Sequence, residues 1–467
     1  MFKAIRNFYK TSEPIAPLNL DEKAQSRYYR KLSLQAFAAG TLGYSLYYVC
    51  RTSLNVMKKP ILDSGMLDAT QLGVIGSALL FAYAIGKFVN GFIADHCNIK
   101  RFMATGLLIS TLANFIMGVL GLVSQSIAAI PTAVLFIAFA VMWGVNGWSQ
   151  SMGAPPAIIA LSRWFPLNRR GTYYGMFSAS HNIGEWLSFI FVGSIVSIAG
   201  WQWGFFGSSI AGVLGIICIL FFLHDTPESK GLTSIEVLAH EKPQVKENED
   251  VGAIQRQVLR NPGVYVLALA SAFMYISRYS LNSWGILFLQ EAKGFSMADA
   301  TFIISLNALL GIVGTVVSGW LSDVLFNGNR KIPAFVAGVL LSISYIIFIY
   351  GGNNYAVNVL SMVLFGIAIG VLISFLGGLM AVDIVPRKAT GAALGIVGMA
   401  SYIAAGIQDV VSGWLIDNNI TETVNELGET VKHYDFSDAA MFWIGASIIS
   451  FLLPILNWRR KVQQDEE

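Results

Sequence analysis

Charged residues are scarce in this sequence, and so are cysteines. Only 13% of the 467 residues are Asp, Glu, Lys or Arg, whereas a soluble domain usually carries about a quarter. No polar stretch is long enough to fold as a soluble catalytic domain, so we do not expect an enzyme. The three cysteines, Cys50, Cys97 and Cys218, lack metal-ligand or redox spacing and are interpreted as small hydrophobic residues.

Signatures of several other functions are also missing. The sequence contains no P-loop, no metal-ligand cluster and no nucleophile–base pair, so we expect no cofactor and no ATP-driven pumping. No nucleic-acid partner is expected either. The first 33 residues are polar and basic and lack the apolar core of a secretory signal peptide, so we expect no cleavable signal.

Long apolar blocks are what the sequence does have. A helix needs about 20 apolar residues to cross a bilayer, and blocks of that length recur along the whole sequence, separated by short polar breaks. We therefore predict an all-α, polytopic membrane protein in a lipid bilayer. The twelve predicted spans lie near 35–57, 72–95, 101–123, 128–156, 171–198, 202–223, 262–290, 298–322, 332–351, 354–382, 388–416 and 437–458.

A long polar break from His224 to about Asn261 divides the spans into six and six. It contains EKPQVKENEDVG, which has the composition of a linker. The predicted organisation is an N-terminal segment 1–34, a six-helix half 35–223, a linker 224–261, a second six-helix half 262–458 and a tail 459–467.

Lys and Arg residues are distributed unequally between the two sides of the predicted bundle. They crowd the N-terminus, the central linker, the C-terminus and the loops after spans 2, 4, 8 and 10, whereas the loop DNNITETVNELGETVKHYDFSD is mostly acidic. Lys58 and Lys59 are the main exceptions. Because basic loops stay in the cytoplasm, we predict an inner (plasma) membrane protein with both termini cytoplasmic.

The two halves repeat each other. PLNRRGTYYGMFSASHN at 166–182 matches PRKATGAALGIVGMASY at 386–402, with prolines and glycines coinciding. Asp95 and Asp323 end spans 2 and 8, are 228 residues apart (323 − 95), and each precedes basic residues. This pattern resembles the major facilitator architecture, in which substrate binds near the midplane between the halves. We interpret Asp95 and Asp323 as gating residues that hold one access state closed.

Two arginines are predicted to lie near the middle of the membrane. Arg51 and Arg278 are each about sixteen residues into spans 1 and 7, and are 227 residues apart (278 − 51). An arginine at this depth costs at least about 2.5 kcal/mol and does not lose its proton. The pseudo-two-fold axis would bring both to one cavity, where a phosphate group matches guanidinium geometry. The alternative is an arginine paired with an intramembrane carboxylate or with carbonyl groups.

Tyrosines accompany both arginines. Tyr44 and Tyr48 share a helix face with the first arginine, and Tyr275 lies three residues before the second. These phenols are predicted either to contact phosphate or to pack as an ordinary aromatic stripe. Tyr47 and Tyr279 are expected to face elsewhere.

Span 2 and span 5 carry further polar residues. Lys87 either lines the cavity or extends to the interface. His181, Asn182 and Glu185 lie in the middle of span 5, and His181 and Glu185 can pair at i, i+4. Because histidine titrates near the second ionisation of a phosphate ester, His181 could match the substrate charge. The remaining intramembrane polar residues are Gln150, Asn307, Tyr402 and Asp409; the last either pairs with a cavity cation or lies near the outer mouth.

With these residues in view, the chain resembles the organophosphate:phosphate antiporter family of the major facilitator superfamily. The stretches that carry the resemblance are GYSLYYVCRTSLNV, YAIGKFVNGFIAD, GWSQSMGAPP, RWFPLNRRGTYYGMFSASHNIG, HDTPESKGL and MYISRYSLNSW. The resemblance implies that Arg51 and Arg278 bind phosphate and that His181 and Lys87 line or support that site. It also implies cavity positions for Tyr44, Tyr48, Tyr275 and Tyr402.

The chain departs from its relatives at several positions. The hexose-phosphate antiporter has an Asp and a Lys in span 11 where Leu394 and Val397 stand, and the glycerol-3-phosphate antiporter has Trp where Ala154 stands. Many members have Glu at the position of Asn307, whereas this chain has Glu185 where relatives usually have Gly. The intramembrane acidic residue thus lies in span 5 of this chain and in span 8 of those relatives.

The resemblance predicts a monomeric antiporter that exchanges a phosphate ester for inorganic phosphate. Glycerol-3-phosphate is the first choice of ester and hexose phosphates are the next. One alternative is a transporter-like sugar-phosphate sensor that signals to a membrane kinase. Another is a proton-coupled porter of a non-phosphate solute, against which the paired arginines argue.

Overall fold

The computed structural model describes residues 2–126, 131–233, 258–320, 322, 325–326, 329–385, 390–424 and 430–457. Within these ranges, eleven helices are long and apolar enough to cross a membrane. The remaining expected span lies in the 42-residue helix Glu22–Asp63, which is rich in tyrosine and serine and contains Arg51. Helices satisfy their own backbone hydrogen bonds in lipid, and the predicted all-α membrane architecture is confirmed.

The described residues up to 233 contain ten α-helices, because a short helix precedes the spans and two of the six spans are broken into two and three pieces. A π-helical turn, Ser188–Val192, joins two of these pieces in span 5. The helices are α1 (Phe2–Tyr9), α2 (Glu22–Asp63), α3 (Ala69–Asp95), α4 (Ile99–Ser126), α5 (Thr132–Gln150), α6 (Ala154–Trp164), α7 (Leu167–Ser178), α8 (Ser180–Leu187), α9 (Gly193–Ala199) and α10 (Trp201–Phe222).

The second half contains seven helices and a small hairpin within the described residues. A π turn, Phe375–Leu379, interrupts span 10. The helices are α11 (Pro262–Glu291), α12 (Met297–Trp320), α13 (Lys331–Tyr350), α14 (Tyr355–Ser374), α15 (Met380–Val382), α16 (Thr390–Asn418) and α17 (Ser437–Leu452). Strands β1 (Ile420–Val424) and β2 (Thr430–Tyr434) form an antiparallel pair in the segment predicted only as an acidic loop.

Side-chain caps define where several spans begin. At the start of α3, the Asp68 carboxylate accepts from the Gln71 backbone N–H while the Gln71 side chain accepts from the Asp68 N–H. This capping box satisfies donors that the helix leaves free. Asn354 caps α14 in the same way through the Val357 N–H. Gly200 has φ of 92° between α9 and α10, a conformation that glycine adopts without strain.

The bundle has two distinct ends. At the end we call the termini face, the Asn98 backbone N–H donates to the Tyr9 carbonyl oxygen and the Asn457 amide donates to the Gly263 carbonyl oxygen. Helices α2, α11 and α16 run from this face to the other end, which we call the opposite face. The two halves pack through α2 with α11, α3 with α16, and α8 with α12.

Candidate anion site between the halves

Arg51 lies at the interface of the two halves and is surrounded by aromatic rings. Its side chain on α2 is buried, and its Nη2 donates to the Tyr279 hydroxyl of the second half at 3.2 Å. The guanidinium carbon lies 4.1 Å from the ring centroid of Tyr83, 5.2 Å from that of Tyr48 and 5.6 Å from that of Tyr402. Among the described residues, no carboxylate lies within 4.0 Å of this guanidinium.

Arg278 has a carboxylate partner from the other half, unlike Arg51. Its Nη2 lies 3.2 Å from Glu185 Oε2, and the second carboxylate oxygen accepts from Asn282 Nδ2 at 2.7 Å. Glu185 therefore contacts α11 across the interface, and we find no contact between it and His181. The alternative interpretation, an arginine paired with an intramembrane carboxylate, holds for Arg278. The structure thus supplies one negative charge beside Arg278.

Tyr279 connects the two arginines, so the expectation that it faces elsewhere is wrong. Its hydroxyl accepts from Arg51, and its ring centroid lies 5.7 Å from the Arg278 guanidinium carbon. Adjacent helical residues differ in direction by about 100°, and α2 is close enough to α11 for both Arg278 and Tyr279 to reach it. Tyr47 does face elsewhere, since its hydroxyl donates to the Met103 carbonyl oxygen at 2.5 Å inside the first half.

The other predicted tyrosines extend the aromatic wall. Tyr275 stacks on Tyr279 with ring centroids 5.8 Å apart, and Tyr402 lies 5.4 Å from Tyr275. Tyr48 lies beneath Arg51 with its ring centroid 5.9 Å from that of His181. Tyr44 packs on Tyr48 at 5.4 Å and its described ring contacts are all with aromatic residues, so it supports the wall from behind.

Lys87 faces the space between the halves. Its ammonium nitrogen lies 5.3 Å from the Tyr402 ring centroid across the interface, and the side chain is exposed. Of the two alternatives, the structure therefore places Lys87 in the cavity and not in an extended position at the lipid interface.

Gln150 and Asn307 use their amides for packing within their own halves, whereas Asn182 is buried where the two halves meet. Gln150 Nε2 donates to the Tyr47 carbonyl oxygen at 3.0 Å and to Ser110 at 2.7 Å, within the first half. Its amide is used to join α2, α4 and α5, which contradicts its assignment to the substrate site. Asn307 Nδ2 donates to its own helix at Ile304. Asn182 is buried against α12, and its Nδ2 has no hydrogen-bond partner among the described residues.

The two predicted gating residues cannot be placed. Asp95 ends α3, but its side chain lies outside the described part of the chain, and Asp323 lies outside the described residues altogether.

A buried ion pair joins the halves on the side of the arginines nearer the opposite face. Lys58 on α2 and Asp409 on α16 are 2.9 Å apart and almost fully buried. Ser283 donates to the same carboxylate oxygen at 2.7 Å, and the Lys58 ammonium lies 3.6 Å from the Trp284 ring centroid. Asp409 thus pairs with a buried cation. Because Lys58 is buried in the bundle, it does not count against the unequal distribution of basic residues between the two sides.

Further polar contacts hold the halves together at the opposite face. Lys59 bonds to both Asp63 and Glu291, the second of which belongs to the other half. The Asp417 carboxylate accepts from the backbone N–H groups of Ala69 at 3.1 Å and Thr70 at 2.6 Å. The N-terminus of α3 is therefore capped by a side chain from α16.

Glycines let α3 and α16 approach backbone to backbone at this end. A methyl group added at Gly73 would lie 2.4 Å from the Asp409 carbonyl oxygen, and one added at Gly413 would lie 2.4 Å from that of Ala69. Toward the termini face, a methyl group added at Gly91, Gly175 or Gly395 would have no atom within 4 Å. The structure is therefore closed at the opposite face and open toward the termini.

Sequence reasoning missed several of these contact residues, although a helical spacing marks most of them. Tyr83 lies four residues before Lys87, Asn282 lies four residues after Arg278, and Lys58 lies seven residues after Arg51. Each spacing places the pair on one helix face. The helical spacing in the sequence indicates which residues share a helix face, but it does not indicate which residue of the other half each of them contacts.

A separate cavity of about 770 Å³ lies at the opposite face, where its lining includes Phe288 near the end of α11. Lys293 lines it and donates to the carbonyl oxygen of Phe348 and to Asn358 Oδ1. Burial lowers the pKa of the Lys293 ammonium to about 8. None of the predicted site residues lines this cavity, so we do not assign it to the substrate.

Comparison with known proteins agrees with this architecture. Residues 40–408 match the model of the Major Facilitator Superfamily. The chain is 31% identical to the glycerol-3-phosphate transporter of Bacillus subtilis (strain 168) over 97% of its own length and 98% of that protein. It is 34% identical to a probable hexose phosphate transport protein of Chlamydia pneumoniae, over 82% and 85% of the two chains.

The fold is shared with solved transporters. The crystal structure of a bacterial homologue of the human lysosomal transporter Spinster, inward-facing and unoccupied, superposes with a TM-score of 0.69 at 17% identity, covering 94% of this chain and 96% of that one. The fold and the family match define a multi-pass membrane transporter built from two similar halves. The chain belongs to the Major Facilitator Superfamily, and within it to the organophosphate:phosphate antiporter family.

Proposed function

We propose that the protein is a secondary antiporter that exchanges a small phosphate ester for inorganic phosphate by rocker-switch alternating access. The observation that carries the proposal is the buried Arg51 guanidinium, which has no carboxylate partner among the described residues and lies beside Arg278 at the interface of the halves. A buried cation without a partner is unfavourable. A phosphate group supplies the missing charge and suits the guanidinium geometry.

The second arginine contributes through its remaining donors. A guanidinium has five N–H groups, and Glu185 is within hydrogen-bonding distance of Arg278 Nη2. The phosphate bridges Arg51 and the free N–H groups of Arg278, while Lys87 adds a cation at the open side. The empty carrier keeps the uncompensated Arg51, so we infer that it reorients slowly and that exchange is strict. The ligand drives reorientation only through its different affinity for the two states.

The relatives support the choice of ester. Proteins named for glycerol-3-phosphate and for hexose phosphate transport match 97% and 82% of this chain, respectively, so glycerol-3-phosphate remains the first choice and hexose phosphates the next. The basic loops on the side of the termini support an orientation with both termini in the cytoplasm. In that orientation the structure is inward-open, and phosphate leaving the cell drives ester uptake.

The proposal is tested in proteoliposomes loaded with radiolabelled phosphate. External glycerol-3-phosphate or a hexose phosphate is expected to release the label from wild-type vesicles. The Arg51→Ala and Arg278→Ala variants are expected to insert normally but to lose exchange by at least about a hundredfold, because each removes a charge-assisted contact to a buried anion. Arg260→Ala, which changes an exposed arginine outside the site, is the matched control.

Two outcomes would contradict the proposal. Phosphate exchange retained by Arg51→Ala would show that the clamp is not needed. Binding of a sugar phosphate by wild-type protein without any exchange would instead favour the sensor, which uses the same pocket without transport.

A further inference from the structure

We propose that Glu185 determines which class of phosphate ester the site accepts, an inference that rests on the proposed function. The buried carboxylate acts as a fixed counter-charge to Arg278. It adapts the site to phosphate monoesters of neutral polyols and disfavours esters that carry an additional carboxylate.

The geometry holds the Glu185 charge in place. The side chain is buried, with 3% of the residue exposed, and each carboxylate oxygen has its own donor, Arg278 Nη2 at 3.2 Å and Asn282 Nδ2 at 2.7 Å. Both donors come from α11 of the other half. Moving the carboxylate away would leave a buried guanidinium and a buried amide without partners, which is unfavourable.

A count of the charged groups at the site gives the charge of the preferred ligand. Arg51, Arg278 and Lys87 contribute three positive charges and Glu185 one negative charge, with His181 counted as neutral. The net charge is therefore +2. A phosphate monoester carries close to −2 above its second ionisation near pH 6, so a polyol phosphate neutralises the site. An ester with an additional carboxylate exceeds this charge and places a like charge near Glu185.

Two buried amide groups close to Glu185 have atoms available for ligand hydroxyl groups. Because a carboxylate only accepts hydrogen bonds, Asn282 must present its NH₂ group to Glu185. Its Oδ1 remains a buried acceptor without a partner among the described residues. Asn182 lies three residues before Glu185 on α8, hence on a neighbouring part of the same face, and its buried Nδ2 is a donor without a described partner.

This pairing suits a polyol and not a second anion. A hydroxyl group both donates and accepts, so it can satisfy the Asn282 acceptor as well as the Asn182 donor. A carboxylate can satisfy only the donor and leaves the acceptor unpaired. Charge and hydrogen bonding at Glu185 therefore favour the same ligand class.

The test is competition against exchange of radiolabelled phosphate in proteoliposomes. Unlabelled glycerol-3-phosphate and 3-phosphoglycerate are the two probes, and the measured quantity is the ratio of their half-inhibitory concentrations at fixed pH. Glu185→Gln removes the charge and keeps one of the two acceptor oxygens. It is expected to shift the ratio at least about tenfold toward 3-phosphoglycerate.

Two further variants separate charge from structure. Glu185→Asp retains the carboxylate and is expected to keep the wild-type preference. Asp299→Asn makes the same chemical change at a carboxylate outside the site, whose one side-chain partner among the described residues is Ser296, and is expected to have no effect. A ratio that is unchanged in Glu185→Gln, or that shifts equally in Glu185→Asp, overturns the proposal.

Failure of the proposed role of Glu185 can be distinguished from failure of the proposed antiport. If wild-type protein does not exchange phosphate with any ester, the antiporter assignment fails. If wild-type protein exchanges phosphate and the ratio does not move, only the role of Glu185 fails. If Glu185→Gln binds but does not transport, the same ratio is read from ligand-induced thermal stabilisation of the purified protein, and an unshifted ratio there also overturns the proposal.

Discussion

Aromatic rings, and not a carboxylate, hold the Arg51 side chain in place. Tyr48, Tyr83 and Tyr402 surround the guanidinium, and Tyr279 accepts one of its hydrogen bonds. An acidic partner would neutralise the charge and compete with an anionic ligand. The rings stabilise the cation while leaving its charge available.

The ring of Tyr83 gives the first prediction at the scale of single residues. It lies 4.1 Å from the Arg51 guanidinium carbon, the shortest of the three ring distances. Tyr83→Leu removes a cation–π contact worth about 0.5–2 kcal/mol, so phosphate should bind about two- to thirtyfold more weakly. Tyr83→Phe keeps the ring and should bind nearly as wild type does. Titration of purified protein with phosphate measures both, and equal losses in the two variants would assign the effect to the hydroxyl.

Sequence reasoning could predict the arginines but not the partner of the second one. The repeat offset correctly indicated that Arg51 and Arg278 face the same interface. Glu185 was matched to His181 because the i, i+4 rule applies within one helix. Its actual partners, Arg278 and Asn282, lie on a helix of the other half, and such contacts depend on how the halves pack.

Among the helices, α2 and α16 are joined by a fully buried ion pair. Lys58 and Asp409 are 0% and 4% exposed at their side chains. Removing one partner of such a buried pair lowers the stability of the protein by about 3–5 kcal/mol. Replacing both partners by apolar residues is often neutral or stabilising. The pair therefore stabilises the closed end of the interface mainly because separating the two residues would leave a buried charge without a counter-charge, and less because of their mutual attraction.

This difference gives a prediction for the two helices. Asp409→Leu alone should lower the thermal stability of the purified protein markedly, because Lys58 remains buried without a counter-charge. The double variant Lys58→Met/Asp409→Leu should recover most of that loss. Lys10→Met is the control, since its ion pair with Glu13 has side chains that are 64% and 76% exposed and contributes little to stability. A double variant as unstable as the single one would contradict the explanation.

Hydropathy predicted the spans better than their internal breaks. Gln150 was placed inside a continuous span 4, but α5 ends there and α6 begins at Ala154. The π turn Ser188–Val192 in span 5 and the hairpin of β1 with β2 were also not predicted. All three features depend on local backbone geometry, to which an average over about twenty residues is insensitive.

Within the described residues, the molecule is closed at the opposite face and open toward the termini face. The sequence could not predict which end, because the open and closed states of an alternating-access transporter use the same residues and the same helices. The closed end is identified by the backbone contacts between α3 and α16. The two helices approach closely at Gly73 and Gly413, whereas no described atom approaches Gly395.

These glycines give a prediction for the conformational equilibrium. A methyl group at Gly413 would meet the Ala69 carbonyl oxygen at 2.4 Å, whereas one at Gly395 on the same helix would meet no atom within 4 Å. Gly413→Ala should therefore shift the protein toward opening at the opposite face, and Gly395→Ala should not. The measurement is maleimide labelling of Leu72→Cys, a fully buried position in α3, in a background without the native cysteines. Labelling should accelerate several-fold with Gly413→Ala, and equal rates in both variants would refute the role of the close approach.

The Asp417 carboxylate caps a helix that belongs to the other half of the protein. When the opposite face opens, this carboxylate withdraws and the first amides of α3 lose an acceptor, although Asp68 still occupies the Gln71 N–H. The partial positive charge of a helix N-terminus is then uncovered at the newly formed entrance. If a phosphate ester enters from this face, as the proposed exchange requires, it meets an attractive potential at the mouth before it reaches the arginines.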